Sequence, residues 1–390
     1  MERLKIKNAR LVLSGGILEC GCLLAQDGKI VSVGQSAEPC ASCAEIDAEG
    51  RYVSPGFIDM HVHGGGGHDF MDCTAEAFTG AARAHLGHGT TTLLPTTLAG
   101  DDGELEELFS VFRRARASGQ CGANLPGLHL EGPYFSMEQR GAQDPRYLRV
   151  PEPAHYNRIL ALGGADILRW SMAPELDGAH LLGDTLKSRG ILPSAAHTDA
   201  TFEQIEEAMG HGFTHLTHFY SGMCGVRRVN GMRQAGAVEA GYTLDGLTVE
   251  AIGDGIHLPP PLLRMISRCI GPHRAALITD AMRAAGQDVS ESTLGSLSRG
   301  VKVLVNGGVA WLADRSAFAG SVATMDRCVR TMVQKAGASL TDAVAMAAST
   351  PARIMGFKSK GIISPGMDAD LVLFDGDINV SCVIVGGRAV

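Results

Sequence analysis

Histidines and carboxylates recur in this sequence at the ends of apolar runs, where such side chains could hold a metal ion or move a proton. "FIDMHVH" ends in His61-Val62-His63, "LPGLHLEG" carries His129 and Glu131, and "ILPSAAHT" carries His197. "FTHLTHF" carries His218, "LTVEAIGDGIH" ends with Asp254 and His257, and "AALITDAM" holds Asp280. Alternation along a strand points His61 and His63 to one side, as two ligands of one ion require. Imidazole and carboxylate donors suit Zn, Fe(II), Mn or Ni better than Mg or Ca, and an open coordination position leaves room for a water. Asp280 closes an apolar run, where a carboxylate is costly to bury without a cation or a reacting proton beside it.

The other histidines fit packing roles. His85 and His88 fall on a helix and its cap, His215 is expected to face opposite to His218 on its strand, and His155, His180, His211 and His273 lie in connecting segments. His68 follows the glycines and belongs to neither class on sequence grounds. His129 shares a face with Glu131 and serves either behind the ligands or against substrate. The glycines Gly64 to Gly67 match no phosphate-binding fingerprint and are expected to bend the backbone tightly past the site.

Positioning these residues requires strands that all end on one side. Eight β-like runs, at 57–63, 90–97, 125–132, 167–175, 191–198, 213–219, 247–257 and 275–282, alternate with helix-like segments such as "TFEQIEEAMGHG". In that segment Thr201 is a natural N-cap and Glu203 falls in the first turn. Eight βα units predict an α/β fold, a (β/α)8 TIM barrel over residues 54–358, whose chemistry gathers at the C-terminal strand ends. "GVKVLVNGGVAWLADRSAFAG" reads as an inserted hairpin, followed by closing helices. Short glycine-punctuated strands at both chain ends, 1–53 and 359–390, predict a small β-sandwich domain formed by the two termini together.

Bulk composition narrows the partners. The chain has 390 residues, and Lys+Arg 34 against Asp+Glu 42 gives a formal charge of -8, which argues against nucleic acid and anionic lipid. No run of about 18 apolar residues is present to span a bilayer and the N-terminus lacks a signal-like core, so a cytoplasmic protein is expected. The ten cysteines are expected as apolar fillers rather than disulfides; Cys40-x-x-Cys43 has a metal-like spacing but no second pair follows it.

"SPGFIDMHVHG" and "GIISPGMDADLVLFD" resemble the amidohydrolase superfamily, a metal-dependent barrel with a β-sandwich built from both ends. Within it, "HLEGPYFSMEQRGAQDPRYL", "MAPE", "GDGIHLPP" and "ALITDAMRAAG" are similar, in order and over nearly the whole chain, to the N-acetylglucosamine-6-phosphate deacetylase family. The resemblance implies that Glu131, His197 and His218 hold the principal divalent metal, Zn, Fe or similar. It implies that His61 and His63 form the pair some members use for a second metal, that Asp280 is the catalytic acid/base, and that His257 contacts the substrate carbonyl. A homodimer is implied too, with an arginine loop that could reach the neighbour's pocket.

Departures from the family pattern bear on the substrate. Ser221-Gly222 stands where the family carries Asn-Ala, and Arg233-Gln234-Ala235-Gly236 where it carries Arg-Glu-Pro-Gly, after a longer loop with Arg227 and Arg228. Guanidinium groups present paired donors to phosphate oxygens, so Arg227, Arg228 and Arg233 form a candidate anion clamp beside the sugar-binding positions Ser221, Gly222 and His129. The implied reaction removes acetyl from N-acetylglucosamine 6-phosphate. The alternatives are deacetylation of N-acetylgalactosamine 6-phosphate or of a non-phosphorylated N-acetyl sugar, and a barrel without catalysis, against which stands the presence of every expected chemical residue.

Overall fold

The computed structural model describes residues 2–36 and 43–390. Both chain ends enter one eight-stranded sheet. Its order runs Arg388–Ala389, Val380–Val385, Leu371–Phe374, Tyr52–Pro55, Arg3–Leu13, Gly16–Gln26, Lys29–Gly34, with Ala44–Asp47 also pairing Arg3–Leu13. The junction of the two ends is antiparallel, with Leu373 opposite Val53. Alternation of apolar residues places Leu4, Ile6, Leu11, Leu23, Ile30, Leu371 and Ile384 in a core of their own, as a period of two demands of a half-buried sheet.

Between the two ends, eight parallel strands curl like a barrel. Phe57–Val62 pairs with Thr90–Pro95, while Leu128–Glu131, Ile167–Met172, Leu192–Ala195, His215–Leu216, Thr248–Ile252 and Ala275–Ile278 form a six-stranded sheet. Parallel bridges Thr96 to His129 and Val62 to Ala281 join the two sheets on both flanks. These strands are buried along nearly their whole length, so they read as continuous apolar runs rather than alternating ones. Helices return the chain between them: Ala75–Leu86 is capped by Thr74, and Phe202–Gly210 opens with a capping box between Thr201 and Gln204.

Three features differ from expectation or extend it. The inserted hairpin is a four-stranded antiparallel sheet of Glu291–Leu294, Val301–Asn306, Val309–Leu312 and Phe318–Ser321; its first strand is largely polar and carries no apolar alternation. Ser321 bridges to Ala281, which brings this sheet to the C-terminal strand ends. Among the cysteines, Cys43 is disulfide-bonded rather than a filler, and Cys40 lies outside the described residues. Among the described residues no helix is long and apolar enough to cross a membrane.

Candidate metal centre

The strand ends bring six of the expected residues together in two groups that could hold metal ions: His61, His63 and Asp280, and Glu131, His197 and His218. Glu131 is the last residue of its strand, and the others sit at or just beyond theirs. His197, His218 and Asp280 have φ of 45°, 29° and 49°, a left-handed backbone that non-glycine residues adopt at a cost and that turns each side chain inward. In the first group His61 Nε2 lies 3.3 Å from His63 Nε2, and both lie 3.4 Å from Asp280 Oδ1. In the second, Glu131 Oε1 lies 3.0 Å from His218 Nε2 and 3.4 Å from His197 Nε2, and the two imidazoles approach at 3.2 Å. Glu131 Oε2 is 3.4 Å from His63 Nε2, so one carboxylate faces both groups.

Hydrogen bonds behind the ring nitrogens settle the tautomers of these imidazoles. His197 Nδ1 is 2.8 Å from the Gln139 carbonyl, and His218 Nδ1 is 2.9 Å from the Ser221 carbonyl. A carbonyl only accepts, so each Nδ1 carries the proton and each Nε2 offers a lone pair. His61 Nδ1 meets Glu250 Oε2 at 3.2 Å with the same consequence. The His197 and His218 lone pairs, facing one another at 3.2 Å, repel unless a cation or proton lies between them, and this donor set of imidazoles and carboxylates fits a divalent transition ion.

The charges agree with a cation-binding centre. Burial alone would raise the Glu131 carboxyl, but the imidazoles that face it, His61 first and then His197 and His218, hold it well below the usual carboxylate range. Burial also opposes ionisation of Asp280, yet His61 and His63 keep it lowered. For His63, burial disfavours the imidazolium, while the hydrogen bond to Asp280 and the Glu131 charge win and raise it to about 9.

Three supporting residues escaped the sequence reading. Glu250 and Arg169 are fully buried in the strands Thr248–Ile252 and Ile167–Met172 and pair with each other, and Arg169 also donates to Ser194 and Thr217. Charged residues inside apolar strands were the signal available, the same cost that singled out Asp280. Gln143 donates to Glu131 Oε2 at 2.8 Å from an irregular segment that offers no periodic signal.

The mouth above the centre is lined by Ser221, Gly222, His257 and Gly141, with Leu98, Leu294 and Phe318 as an apolar wall. Asp254 Oδ2 holds His257 Nδ1 at 2.7 Å, and its Oδ1 accepts from the Ile256 and His257 amides. His129 does not reach this mouth: it is fully buried, bonded to Ser171 and Thr96, and packs edge-on against His61 at 4.7 Å. Arg227, Arg228 and Arg233 are exposed on a two-stranded hairpin, Arg227–Val229 with Met232–Gln234, outside the lining. There Arg227 is held by Asp199 at 2.5 Å.

Of the packing histidines, His85 donates to the Gly64 carbonyl, His155 sits between Tyr134 and Asp102, His88 meets Asp326, and His180 stacks on His211. His215 is also a packing residue, but it turns inward, 3.5 Å from Glu250. Its strand stops at Leu216, so alternation does not carry to His218. Gly64–Gly65 pairs with His68–Asp69 as a tight hairpin; a Cβ on Gly64 would lie 2.1 Å from the His68 carbonyl oxygen, which restricts the position to glycine.

The sequence profile of the Amidohydrolase family matches residues 52–390, and the chain belongs to that family. It is 33% identical to the N-acetylglucosamine-6-phosphate deacetylase of Lysinibacillus sphaericus over 98% of this chain and 96% of the relative. It is 32% identical to the N-acetylgalactosamine-6-phosphate deacetylase of Escherichia coli O157:H7 over 98% of each. Among solved structures, a mutant N-acetyl-D-glucosamine-6-phosphate deacetylase of Mycobacterium smegmatis in complex with N-acetyl-D-glucosamine-6-phosphate superposes with a TM-score of 0.90 at 32% identity, covering 100% of this chain and 99% of that one.

Proposed function

We propose that this chain hydrolyses the amide of N-acetylglucosamine 6-phosphate to glucosamine 6-phosphate and acetate. The observation that carries the reading is Asp280, whose carboxylate reaches both the His61–His63 pair and the pocket mouth beside the Glu131, His197 and His218 group. The architecture that goes with it is a (β/α)8 barrel over 54–358 and a β-sandwich of 1–53 and 359–390. A cytoplasmic homodimer with one or two divalent ions per subunit completes the reading.

A divalent ion held by Glu131, His197 and His218, with a second at His61 and His63, would supply Lewis acidity and bring the pKa of water down to roughly 7. Asp280 accepts the proton of the attacking water and returns it to the sugar nitrogen, since an amine leaves poorly unless protonated; positioned proton transfer contributes ~10²–10⁴-fold. Asp254 fixes the His257 ring through Nδ1 and aims Nε2 into the mouth, where a proton on it is donated to the acyl oxygen as negative charge develops there. Ser221 and Gly222 face the sugar.

A second reading keeps the chemistry and changes the sugar. Ser221-Gly222 at the mouth, a lining in which no arginine or lysine occurs among the described residues, and the N-acetylgalactosamine-6-phosphate deacetylase among the relatives favour an epimeric or non-phosphorylated substrate. In the first reading a partner subunit's arginine hairpin supplies the missing cation.

Acetate release from N-acetylglucosamine and N-acetylgalactosamine, each with and without 6-phosphate, separates the readings. Fastest turnover of N-acetylglucosamine 6-phosphate supports the first, and equal rates without phosphate remove the anion clamp. No acetate from any of the four by metal-loaded enzyme overturns the deacetylase reading.

A further inference from the structure

Glu250 lies where the two ligand groups meet, and we propose that it is a positioning residue that fixes the tautomer of His61 and so decides whether the His61, His63 and Asp280 group can hold an ion. The inference rests on the metal-dependent reading above. Glu250 is fully buried, with Oε1 committed to the equally buried Arg169. Its Oε2 accepts from the backbone N–H of His218 at 2.9 Å and faces His61 Nδ1 at 3.2 Å.

Both Glu250 oxygens already accept, Oε1 from Arg169, which can only donate, and Oε2 from the His218 N–H. His61 Nδ1 must therefore donate, and the lone pair is left on Nε2, 3.3 Å from His63 Nε2 and 3.4 Å from Asp280 Oδ1. The other imidazoles do not depend on Glu250 in this way. His197 and His218 are anchored through Nδ1 by the carbonyls of Gln139 and Ser221, and His63 Nδ1 is buried with no hydrogen-bond partner. Within the two groups, control of the tautomer by this carboxylate is thus specific to His61.

Glu250→Gln keeps the size of the side chain and reverses that control. Arg169 draws the amide oxygen and the NH2 turns towards His61, at the loss of the bond from the His218 N–H, and His61 answers by moving its proton from Nδ1 to Nε2, which then cannot ligate. Outer partners of metal-bound histidines are worth ~10–100-fold in affinity, so titration of the metal-free protein with Co(II), read by absorption and by elemental analysis, gives two ions per wild-type subunit. In Glu250→Gln one of them is weakened ~10–100-fold, while the ion at Glu131, His197 and His218 remains and reports that the variant is folded.

Equal affinities in the two proteins overturn the proposal, as does loss of both ions from folded Glu250→Gln protein. A wild type that binds one ion also overturns it, and a wild type that binds none removes the metal reading as well. Because replacing a buried partner of Arg169 could prevent folding, a second measurement uses unaltered protein. With 15N-labelled histidine in the metal-free wild type, the His61 resonance, identified by its loss in His61→Asn, shows a protonated Nδ1 and an unprotonated Nε2. The opposite tautomer overturns the assignment.

Discussion

Gln143 donates its side-chain amide to Oε2 of Glu131 at 2.8 Å, and its own oxygen accepts from the Ala99 N–H at 3.0 Å. The bond sets the rotation of the carboxylate, so that Oε1 points at His218 and His197. Gln143→Leu removes that donor and leaves the Ala99 amide unpaired, a loss of about 1–3 kcal/mol of stability. It is expected to weaken metal binding ~10–100-fold while the protein stays folded. Metal titration and a denaturant midpoint read the two effects separately, and unchanged metal affinity would remove Gln143 from the support of the site.

Asp280→Asn should lower turnover by ~10²–10⁴-fold. Asp280 approaches both His61 and His63 at 3.4 Å, so in this variant the ion at Glu131, His197 and His218 stays and the other is weakened. Acetate release and elemental analysis on the same preparation check both halves. Substantial residual activity would remove Asp280 from proton transfer.

Glu131 faces both ligand groups, whereas His197 belongs to one. Glu131→Ala is therefore expected to lose all bound metal, and His197→Ala to retain the ion at His61, His63 and Asp280. Retention of two ions by Glu131→Ala would contradict the placement of this carboxylate between them.

Stability should fall in mild acid because of His85. Burial lowers its pKa to about 4, and it stays neutral while donating to the Gly64 carbonyl. In the unfolded chain it titrates near 6.5, so below that pH the unfolded state takes up a proton that the fold refuses. The contribution is full above about pH 6.5 and is lost as pH falls towards 4, roughly 3 kcal/mol in all. Denaturant unfolding at several pH values should show a shallower acid slope for His85→Gln than for wild type; identical slopes contradict the assignment.

The parallel strands and the six side chains gathered at their ends could be read in sequence because both follow local rules. Eight buried runs with glycine-rich turns were visible, as were the Thr201 cap and the His61-Val62-His63 alternation. What escaped depends on contacts distant in sequence. Glu250 and Arg169 are 81 residues apart and acquire meaning only when two interior strands face each other. Gln143 lies in an irregular segment, where no periodicity indicates which way a side chain points. His215 was misdirected because its strand ends two residues before His218 and the chain turns at φ 29°. The arginine hairpin is a surface feature, and its relation to any anion depends on what lies against that surface.

The most direct measurement is anomalous diffraction at the zinc, iron or manganese edge from crystals of metal-loaded protein. The account predicts a peak among Glu131 Oε1, His197 Nε2 and His218 Nε2, and a second among His61, His63 and Asp280. Metal-loaded crystals with no peak between the Glu131 carboxylate and the imidazoles of His197 and His218 would contradict it.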